Sequence, residues 1–382
     1  MNKTIKIVIV VVVALAVASG IFEFIHSQGF SFSSSPAQAD FSYGGGLPPI
    51  PGITKNPDIT NILVLGDSVG RQSQDAGAML TDSIMLVSVD SKTHKAAMTS
   101  IPRDIYLTMP LSSDKQKINE AYQLGEEKQP GLGLAYAKWE VSRVTGQYVD
   151  YAVVINLNSF QGIVDAVGGV DIYRATPFNE NVQWHNDPIF AATNGDFHVP
   201  AGWSHLDGTM AMYYVRSRET TTDFNRAARQ QQVILAVKDK LESLGIWNSI
   251  PKLMAIYSAV KDNIETDMTV GDIYNMLTLA KNLNYSTINH TVLDVSTSGP
   301  FCQTNLSDGT YVILPKNGTF ADARNIMNGI AAGLQNNAAI SPATTSATGA
   351  ATTTSATAAI GVPAIMPGDF VTCPATSSAA NN

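Results

Sequence analysis

Apolar and polar positions along the middle of the chain follow a pattern that predicts strands and helices in alternation. Short apolar runs rich in β-branched residues predict buried strands, and apolar residues spaced three and four apart predict helices. Strands are predicted at 61–66, 83–89, 96–101 and 151–155, and helices at 133–144, 158–167, 208–215, 224–244, 250–262 and 270–282. This order predicts an α/β fold with a mixed central sheet covered by helices, in one domain.

The second and third strands are separated by a short polar segment, 90–95, which predicts a hairpin between them. A strand of about seven residues spans about 23 Å, so this turn lies at the far end of the pair. Asp82 and Arg103 then lie together at the open end, and Asp67 leaves the first strand in the same neighbourhood. Two carboxylates beside an arginine suit a divalent cation that is bound together with a phosphate.

Ordinary structural roles explain part of this pattern. Asp67 also suits a turn that follows its strand, and Arg103 with Asp104 suits a local ion pair at a strand end. A local pair leaves Asp67 and Asp82 unexplained. Ligand groups in α/β folds lie where buried strands end, which favours the ligand-binding interpretation.

The long helix at 224–244 has polar residues on the side that its apolar spacing turns inward. Its apolar stripe consists of Leu244, Leu241, Val237 and Ile234. Towards the N-terminus the stripe passes through Gln230, Arg226 or Ala227, and Asp223. Buried charge is costly unless it is paired or binds a ligand, and a helix N-terminus favours an anion. The stripe therefore predicts an anion site, against the alternative of a salt-bridged surface helix.

The distribution of charge supports an anion site. The 382 residues carry a formal net charge of −8 with a pI of about 5.2, which argues against a protein that coats nucleic acid. Nine residues are arginine, and four of them lie within fourteen positions: Arg216, Arg218, Arg226 and Arg229. If 216–218 is extended, its two arginines point to the same side. Guanidinium groups gathered in an acidic protein are typical of a site that holds an anion.

The N-terminal segment predicts a membrane anchor. An apolar run at 7–25 follows Lys3 and Lys6, and it is long enough to span a bilayer as a helix. The lysines keep residues 1–6 cytoplasmic and place the rest of the chain outside. We therefore expect a single-pass protein of the cell membrane with an extracytoplasmic domain. The alternative is a signal peptide cut after Ala39.

Composition predicts the remaining boundaries. Residues 26–58 are rich in Ser, Gly and Pro and predict a flexible stalk, whereas 339–382 are rich in Ala, Thr and Ser and predict a disordered tail. The globular domain is then 59–338. The chain has two cysteines, Cys302 and Cys373, which an exported protein can pair, and a loop of that length would contribute about 4 kcal/mol. Sequence leaves open whether they are bonded.

Seven motifs in order resemble one known family. They are NILVLGDS at 61–68, TDSIMLVS at 81–88, SIPRD at 100–104, KINEAY at 117–122, VDAVGGV at 164–170, YVRSR at 214–218 and DFNRAARQQ at 223–231. Their order and spacing resemble the LytR–CpsA–Psr pattern over 59–245, with a weaker match to about 335. Any one motif is weak evidence, but seven in order are specific.

The resemblance implies a domain with a deep apolar pocket for a polyprenyl chain, to which the helices at 133–141 and 158–167 could contribute. Family members transfer teichoic acids, capsule or arabinogalactan from the lipid carrier to peptidoglycan. Carried over by motif, Asp67 and Asp82 bind Mg²⁺ or Mn²⁺ near the diphosphate. The residues implied to bind the phosphates are Arg103, Lys117, Arg216, Arg218, Arg226 and Gln230. Asp223 would orient an arginine or assist proton transfer.

The chain departs from the family pattern at two places. Many relatives have an arginine just after the first aspartate motif, where Arg71 could serve with a shift, and another after Pro-Arg-Asp, where this chain has Leu107. Either change affects phosphate affinity or the choice of glycan.

These observations predict an enzyme of phosphoryl transfer. The donor is a polyprenyl-diphosphate-linked glycan, the acceptor is peptidoglycan, and polyprenyl phosphate is released. Arg103, Arg216 and Arg218 with Asp67, Asp82 and Asp223 are the candidate catalytic residues. The alternatives are a diphosphatase with water as the acceptor and a non-catalytic protein that binds the lipid carrier. A transcription attenuator fits poorly with export and acidic charge.

Overall fold

The structure is a computed structural model. It describes residues 43, 45–67, 79–184, 186–244, 264–269, 271–272, 275–276, 279, 283, 288–336 and 370–373. The predicted cytoplasmic segment 1–6, anchor 7–25 and helix 250–262 lie outside the described residues, as do most of the stalk and tail. In the part of the chain that is described, no helix has the length and apolar character needed to cross a bilayer.

A six-stranded mixed sheet forms the centre of the domain. In chain order the strands are β1 (Ile59–Asp67), β2 (Thr81–Asp90), β3 (Ala96–Ser100), β4 (Tyr106–Thr108), β5 (Lys115–Lys117), β6 (Tyr151–Asn156), β7 (Val170–Arg174), β8 (Phe178–Glu180), β9 (Phe197–Val199), β10 (Gly202–Leu206), β11 (Ile264–Thr266), β12 (Asn289–Val292), β13 (Phe301–Asn305) and β14 (Tyr311–Pro315). The central order is β11-β6-β1-β2-β3-β12. The β1–β6 and β3–β12 pairs are parallel and the other central pairs are antiparallel.

The predicted α/β fold with a mixed sheet is confirmed, and so are its four strands and the hairpin of β2 and β3. The α-helices that are described in full are α1 (Ala121–Lys128), α2 (Gly133–Thr145), α3 (Leu157–Ala166), α4 (Gly208–Arg216), α5 (Asp223–Ser243) and α6 (Ala321–Gln335). Four of them match predicted helices within one or two residues. The small sheets β7–β10 and β8–β9 were not predicted, because strands of three to five residues give little periodic signal.

Alternate residues of the central strands build two cores, one on each face of the sheet, as the two-residue period of a strand requires. One face presents Ile62, Val64, Met85, Val87 and Val153 to α3, α4 and α5. The other face presents Leu63, Leu65, Ile84, Leu86 and Val154 to α2, α6 and the hairpin of β13 and β14. Both faces of the central strands are buried, which explains their nearly continuous apolar sequence.

The folded domain extends beyond the predicted limits at both ends. Tyr43 and Leu47, in the predicted stalk, are buried in the second core, and the indole Nε1 of Trp139 donates to the carbonyl of Pro48 at 2.8 Å. In the predicted tail, 370–373 pairs with the domain, and Cys373 forms a disulfide with Cys302. Composition did not predict this packing, in which Tyr43, Leu47 and Phe370 contact the second core.

Candidate functional site

The ends of three central strands bring the first candidate residues together. Asp67 ends β1 and lies opposite Thr81 at the start of β2 and opposite Asn156 at the end of β6. A Cβ at Gly66 would lie 2.9 Å from the Cβ of Ser83, which is closer than such atoms approach, so glycine lets the two strands come together here. The side chain of Asp67 is 3% exposed. The sheet therefore holds a buried carboxylate at this edge.

Arg103 joins the loop after β3 to two other elements. Its Nη1 lies 2.7 Å from Oδ1 of Asp82, and its Nε donates to Oδ2 of Asp223 at 2.9 Å. Burial alone would lower the pKa of Arg103, but the carboxylates of Asp223, Asp82 and Asp104 outweigh it and raise the pKa. The predicted approach of Asp82 and Arg103 at the open end of the hairpin is confirmed.

The N-terminal turn of α5 completes this group. Arg226 donates from Nη2 to the carbonyl of Asp82 at 3.0 Å, and its Nη1 lies 3.3 Å from Oδ1 of Asp223. Burial favours the neutral form of Asp223, but Arg226, Arg103 and Arg218 outweigh it and lower the pKa of this carboxyl. We call Asp82, Arg103, Asp223 and Arg226 the site cluster. Its members fix one another's orientation before any ligand binds.

Arg216 and Arg218 lie at the end of α4 and just beyond it. Arg216 is the last residue of the helix, so the condition that 216–218 is extended does not hold at this position. Its guanidinium lies over the Trp184 ring, 5.3 Å from the centroid. The amide oxygen of Gln183 accepts from the backbone N–H of Arg218 at 2.7 Å. The Arg218 side chain is 40% exposed, so this guanidinium is accessible to a ligand.

One cavity of about 310 Å³ connects these charges to an apolar interior. Its polar lining residues are Asp67, Asp82, Ser83, Arg103, Asn156, Gln183, Arg216, Arg218, Arg226 and Gln230. Its apolar lining residues are Val64, Leu65, Met85, Ile155, Phe160, Ile163, Val164, Val215, Ile234 and Val237. We call it the first cavity. With four arginines and two aspartates in its lining, it suits a ligand with an anionic head and an apolar tail.

The inward stripe of α5 is placed as predicted over most of its length. Arg226, Gln230, Ile234 and Val237 all line the first cavity. The prediction is wrong for Leu244, which follows the last residue of α5 and is 37% exposed. The hydroxyl of Ser83 donates to Oε1 of Gln230 at 2.8 Å, which orients this amide at the cavity wall.

Two predicted contributions to the cavity are absent from its lining. Lys117 does not line the first cavity, and its Nζ donates to Oδ1 of Asp104 at 2.7 Å. The α2 helix packs on the opposite face of the sheet, so it does not line the apolar end, whereas α3 does. Ser68 and Arg71 lie outside the described residues.

Sequence reasoning missed three polar residues of the first cavity: Ser83, Asn156 and Gln183. Ser83 lies in the family motif at 81–88, but no binding role was predicted for it. Asn156 follows a predicted strand, which is the signal that identified Asp67. Gln183 lies in an irregular segment between β8 and β9, and nothing in the local sequence marks it.

Arg229 shows that a buried arginine in this region can be purely structural. Its guanidinium donates to the carbonyls of Tyr214 and Ser217 and lies 4.6 Å from the centroid of the Phe178 ring. Burial lowers its pKa to about 10. Among the four clustered arginines it is the one that does not line the first cavity.

The carboxylates fit a divalent cation that shares its coordination with a ligand. Asp67 and Asp82 line the same cavity, beside four arginines. Proteins bind Mg²⁺ through one or two carboxylates, several waters and the phosphates of a substrate. Across the described ranges, no group of three or more His, Cys, Asp or Glu could hold a metal ion. The two carboxylates are donors that such a cation could share with the phosphates of a ligand.

Curated relatives cover the central part of the chain. The polyisoprenyl-teichoic acid–peptidoglycan teichoic acid transferase TagU of Bacillus mycoides (strain KBAB4) is 31% identical over 232 residues, which are 60% of this chain and 67% of the relative. The protein of the same name from Oceanobacillus iheyensis is 30% identical over 226 residues, covering 59% and 63%. The matches thus span about two thirds of the relatives' length.

Solved structures share the fold. A crystal structure of a Streptococcus agalactiae protein is 25% identical, has a TM-score of 0.57, and is matched over 71% of this chain and 87% of its own. The structure of TagV of B. subtilis, at 20% identity, has a TM-score of 0.54 and is matched over 74% and 100%. The family model LytR_cpsA_psr matches residues 35–328, more than three quarters of the sequence. The chain therefore belongs to the LytR–CpsA–Psr family.

Proposed function

We propose that the protein transfers a cell-wall glycopolymer, such as a teichoic acid, from a polyprenyl diphosphate to peptidoglycan and releases polyprenyl phosphate. The observation that carries this proposal is the first cavity, whose lining combines four arginines with apolar side chains and changes along α5 from Arg226 and Gln230 to Ile234 and Val237. A polyprenyl diphosphate has the same polarity, with charge at one end of a hydrocarbon chain. The named activity of the TagU relatives gives independent support.

In this proposal the arginines act by stabilising charge. Arg216 and Arg218 bind the diphosphate oxygens from the α4 side, and Arg103 and Arg226 bind them from the site cluster. Negative charge on the bridging oxygen increases as polyprenyl phosphate departs, so guanidinium groups already in place stabilise the transition state more than the ground state. Gln230, which Ser83 holds at the wall, donates its amide N–H to the same group.

Asp67 and Asp82 are the proposed ligands of Mg²⁺ or Mn²⁺. Such an ion, when bound, neutralises phosphate charge and fixes the geometry of the diphosphate. Asp82 also holds Arg103 at 2.7 Å, which keeps the guanidinium at the edge of the cavity. The same carboxylate can therefore organise both the cation and the arginine.

We also propose that the domain acts outside the cytoplasmic membrane, to which residues 7–25 anchor it. The Cys302–Cys373 disulfide supports this location, because such bonds persist in oxidising compartments. The donor lipid and the peptidoglycan acceptor are both accessible there.

The test is a reconstitution with the full chain in detergent. A synthetic polyprenyl-diphosphate oligosaccharide, peptidoglycan fragments and Mg²⁺ are incubated with the protein, and joined product is measured by mass spectrometry. We expect joined product that is abolished by chelator and reduced by about 100-fold or more in Arg218→Ala. Lys92→Ala, which removes an exposed and paired cation far from the cavity, is the matched control and should retain activity.

Two outcomes would contradict the proposal. Unchanged product formation in Arg218→Ala would exclude the arginine role. Release of free sugar phosphate at the same rate with and without peptidoglycan would identify a diphosphatase instead.

A further inference from the structure

A second cavity of about 40 Å³ lies beside the first. The two share five lining residues, which are Asp82, Ser83, Arg103, Arg226 and Gln230. The first cavity receives sheet residues from β6, β1 and β2, whereas the second receives them from β2, β3, β12 and β14. The central order β6-β1-β2-β3-β12 therefore places the cavities on opposite sides of β2, with Asp82, Arg103 and Arg226 between them.

The two cavities differ in charge. The charged residues that line only the first cavity are Arg216, Arg218 and Asp67, two cations and one anion. The charged residues that line only the second are both acidic, Asp104 and Asp223. A diphosphate is attracted to the first side and repelled by the second. A neutral hydroxyl group that must lose a proton suits the second side.

The chemistry of phosphoryl transfer requires two opposite approaches to phosphorus. The attacking and leaving oxygens lie roughly in line, so an acceptor enters from the side opposite the leaving group. In the proposed function the leaving group is polyprenyl phosphate, whose chain occupies the apolar end of the first cavity. The opposite side of the shared arginines is the second cavity.

We propose that the second cavity is the entry site for the acceptor hydroxyl of a saccharide, with Tyr311 at its mouth. This inference rests on the proposed function and assigns its acceptor side. The acceptor oxygen forms a bond to the phosphorus next to the donor sugar, and the bond from that phosphorus to the polyprenyl phosphate oxygen breaks. The hydroxyl proton passes to the Asp223 carboxylate and then to solvent.

The size of the cavity limits what it holds. A cavity needs a volume of at least about 10–15 Å³ to hold one water molecule. The second cavity, of about 40 Å³, can therefore hold one small hydroxyl-bearing group but not a sugar ring. The ring must then lie outside, against whatever forms the mouth. Tyr311 lines the cavity and is 38% exposed, which places an aromatic surface at that point. Aromatic rings offer a flat apolar face to the C–H groups of a sugar.

Tyr311 is held in place by the C-terminal part of the domain. It begins β14, and its hydroxyl donates to Oε1 of Gln303 on β13 at 3.1 Å. Two residues on, the backbone N–H of Ile313 donates to the carbonyl of Asp104 at 2.9 Å. Burial, with the carboxylates of Asp104 and Asp223, raises the pKa of Tyr311 to about 12, so its hydroxyl stays protonated. Tyr311 therefore presents an uncharged ring whose hydroxyl and strand are held by hydrogen bonds.

The test separates acceptor binding from donor binding. In the reconstitution with the full chain, the KM for a peptidoglycan fragment is measured at saturating donor, and the donor Kd is measured separately without acceptor. We expect Tyr311→Ala to raise the acceptor KM by about tenfold or more, while the donor Kd stays within about twofold. Tyr311→Phe retains the ring and should restore the acceptor KM to within about threefold of the unaltered chain.

A second variant tests the cavity itself. Ala227 lines the second cavity and not the first, so Ala227→Leu reduces the space for the hydroxyl without entering the donor side. We expect it to raise the acceptor KM and to leave the donor Kd unchanged. Tyr173→Ala is the matched control, because Tyr173 is also a half-exposed tyrosine on a two-stranded sheet and lines neither cavity.

The outcomes are distinguishable. Joined product with an unchanged acceptor KM in both Tyr311→Ala and Ala227→Leu overturns the acceptor site and leaves the proposed function intact. Absence of joined product from the unaltered chain overturns the proposed function, and the acceptor site with it. An equal rise of acceptor KM in Tyr173→Ala would also overturn the assignment, because the effect would then not depend on the cavity.

Discussion

Two groups of charged side chains in the described part of the chain, one partly buried and one enclosed, differ in what surrounds them. The site cluster joins two arginines and two aspartates from β2, the loop after β3 and α5, and it borders both cavities. The second group is an ion pair within α2, in which Nη2 of Arg143 lies 2.9 Å from Oε2 of Glu140. Glu140 is 0% exposed, and neither residue lines the first or the second cavity. We call Glu140 and Arg143 the helix pair.

The two groups differ in their access to a cavity, although both contain buried groups with shifted pKa values. Burial raises the pKa of Glu140 to about 8, although Arg143 opposes this, and such a shift at a cavity would suggest catalysis. Here the pair is enclosed by packing: the Arg143 guanidinium lies 5.1 Å from the centroid of the Trp139 ring and donates to the carbonyl of Thr108. Arg324 of α6 donates to the Arg143 carbonyl, which joins the two helices. Access to a cavity, rather than burial or a shifted pKa, separates the two groups.

The largest expected effect is on activity, from Arg103→Ala. This change removes the contacts of Arg103 with Asp82 and Asp223 and takes one guanidinium from both cavities. We expect the transfer rate to fall by about 1,000-fold, the upper part of the range for losing a preorganised charge donor. The free energy of unfolding should fall by only about 1–2 kcal/mol. An exposed ion pair contributes about 0–1 kcal/mol and breaking a buried one costs about 3–5 kcal/mol, and the contacts of Arg103 are partly exposed.

The matched change in the helix pair is Arg143→Ala, for which the expected pattern is reversed. It removes the contacts of the Arg143 guanidinium with the buried Glu140 carboxyl and with the Thr108 carbonyl, and each buried group left unsatisfied costs about 1–3 kcal/mol. The rate of the protein that remains folded should stay within about threefold of the unaltered rate. Urea unfolding and the transfer assay, made on both variants, measure the two effects. If both variants lose activity to the same extent, the distinction drawn from cavity access is wrong.

The second prediction concerns pH and is specific to the helix pair. A carboxyl whose pKa is raised on folding contributes stability that is complete below its unfolded value of 4.5 and is lost as pH rises through about 8. Glu140→Gln keeps the shape and an acceptor oxygen for Arg143 but removes the titration. The unfolding free energy of the unaltered chain should therefore fall relative to Glu140→Gln between pH 5 and 8, by at most about 1.4 kcal/mol per pH unit.

Urea unfolding at pH 5, 6.5 and 8 measures this difference. Parallel curves for the two proteins would show that Glu140 is ionised throughout, held by Arg143 against its burial. Asp223 gives the contrast within the site cluster, because three arginines lower its pKa and keep it charged in the same range.

The same contrast explains how much could be predicted from the sequence. The hairpin of β2 and β3 is a local feature with a clear signal, so the meeting of Asp82 and Arg103 followed from the position of the turn. The phase of α5 identified Arg226 and Gln230 because helical spacing carries inward orientation along the chain. Both predictions depended on regular elements that are long enough for their periodicity to be visible in the sequence.

What could not be predicted depends on contacts between distant segments. Gln183 reaches the first cavity from an irregular segment, and Tyr311 reaches the second from a short hairpin about 230 residues after Asp82. The segment 370–373 was placed in a disordered tail, yet Phe370 packs against Phe224, 5.3 Å between ring centroids, beside the site cluster. The amino-acid composition of a segment does not reveal one isolated apolar residue that packs on the domain.

The smallest expected effect tests the border of the site cluster. Lys117 was predicted to bind phosphate, but its Nζ is 2.7 Å from Oδ1 of Asp104, and Asp104 lies 3.6 Å from Nε of Arg103. Lys117 is therefore two contacts from the donor side. We expect Lys117→Met to reduce the transfer rate by no more than about threefold and stability by about 1 kcal/mol, as for a partly exposed ion pair.

Donor Kd is the measurement that decides the role of Lys117. If Lys117 acts only through Asp104, the donor Kd of Lys117→Met stays unchanged, and Asp104→Asn added to it causes no further loss from the broken pair. A rise in donor Kd of about tenfold or more would instead place Lys117 with the phosphate-binding arginines. Such a result would mean that the Lys117 side chain, which is 25% exposed, leaves Asp104 when the donor binds. Lys117 would then belong to the donor site in the ligand-bound protein.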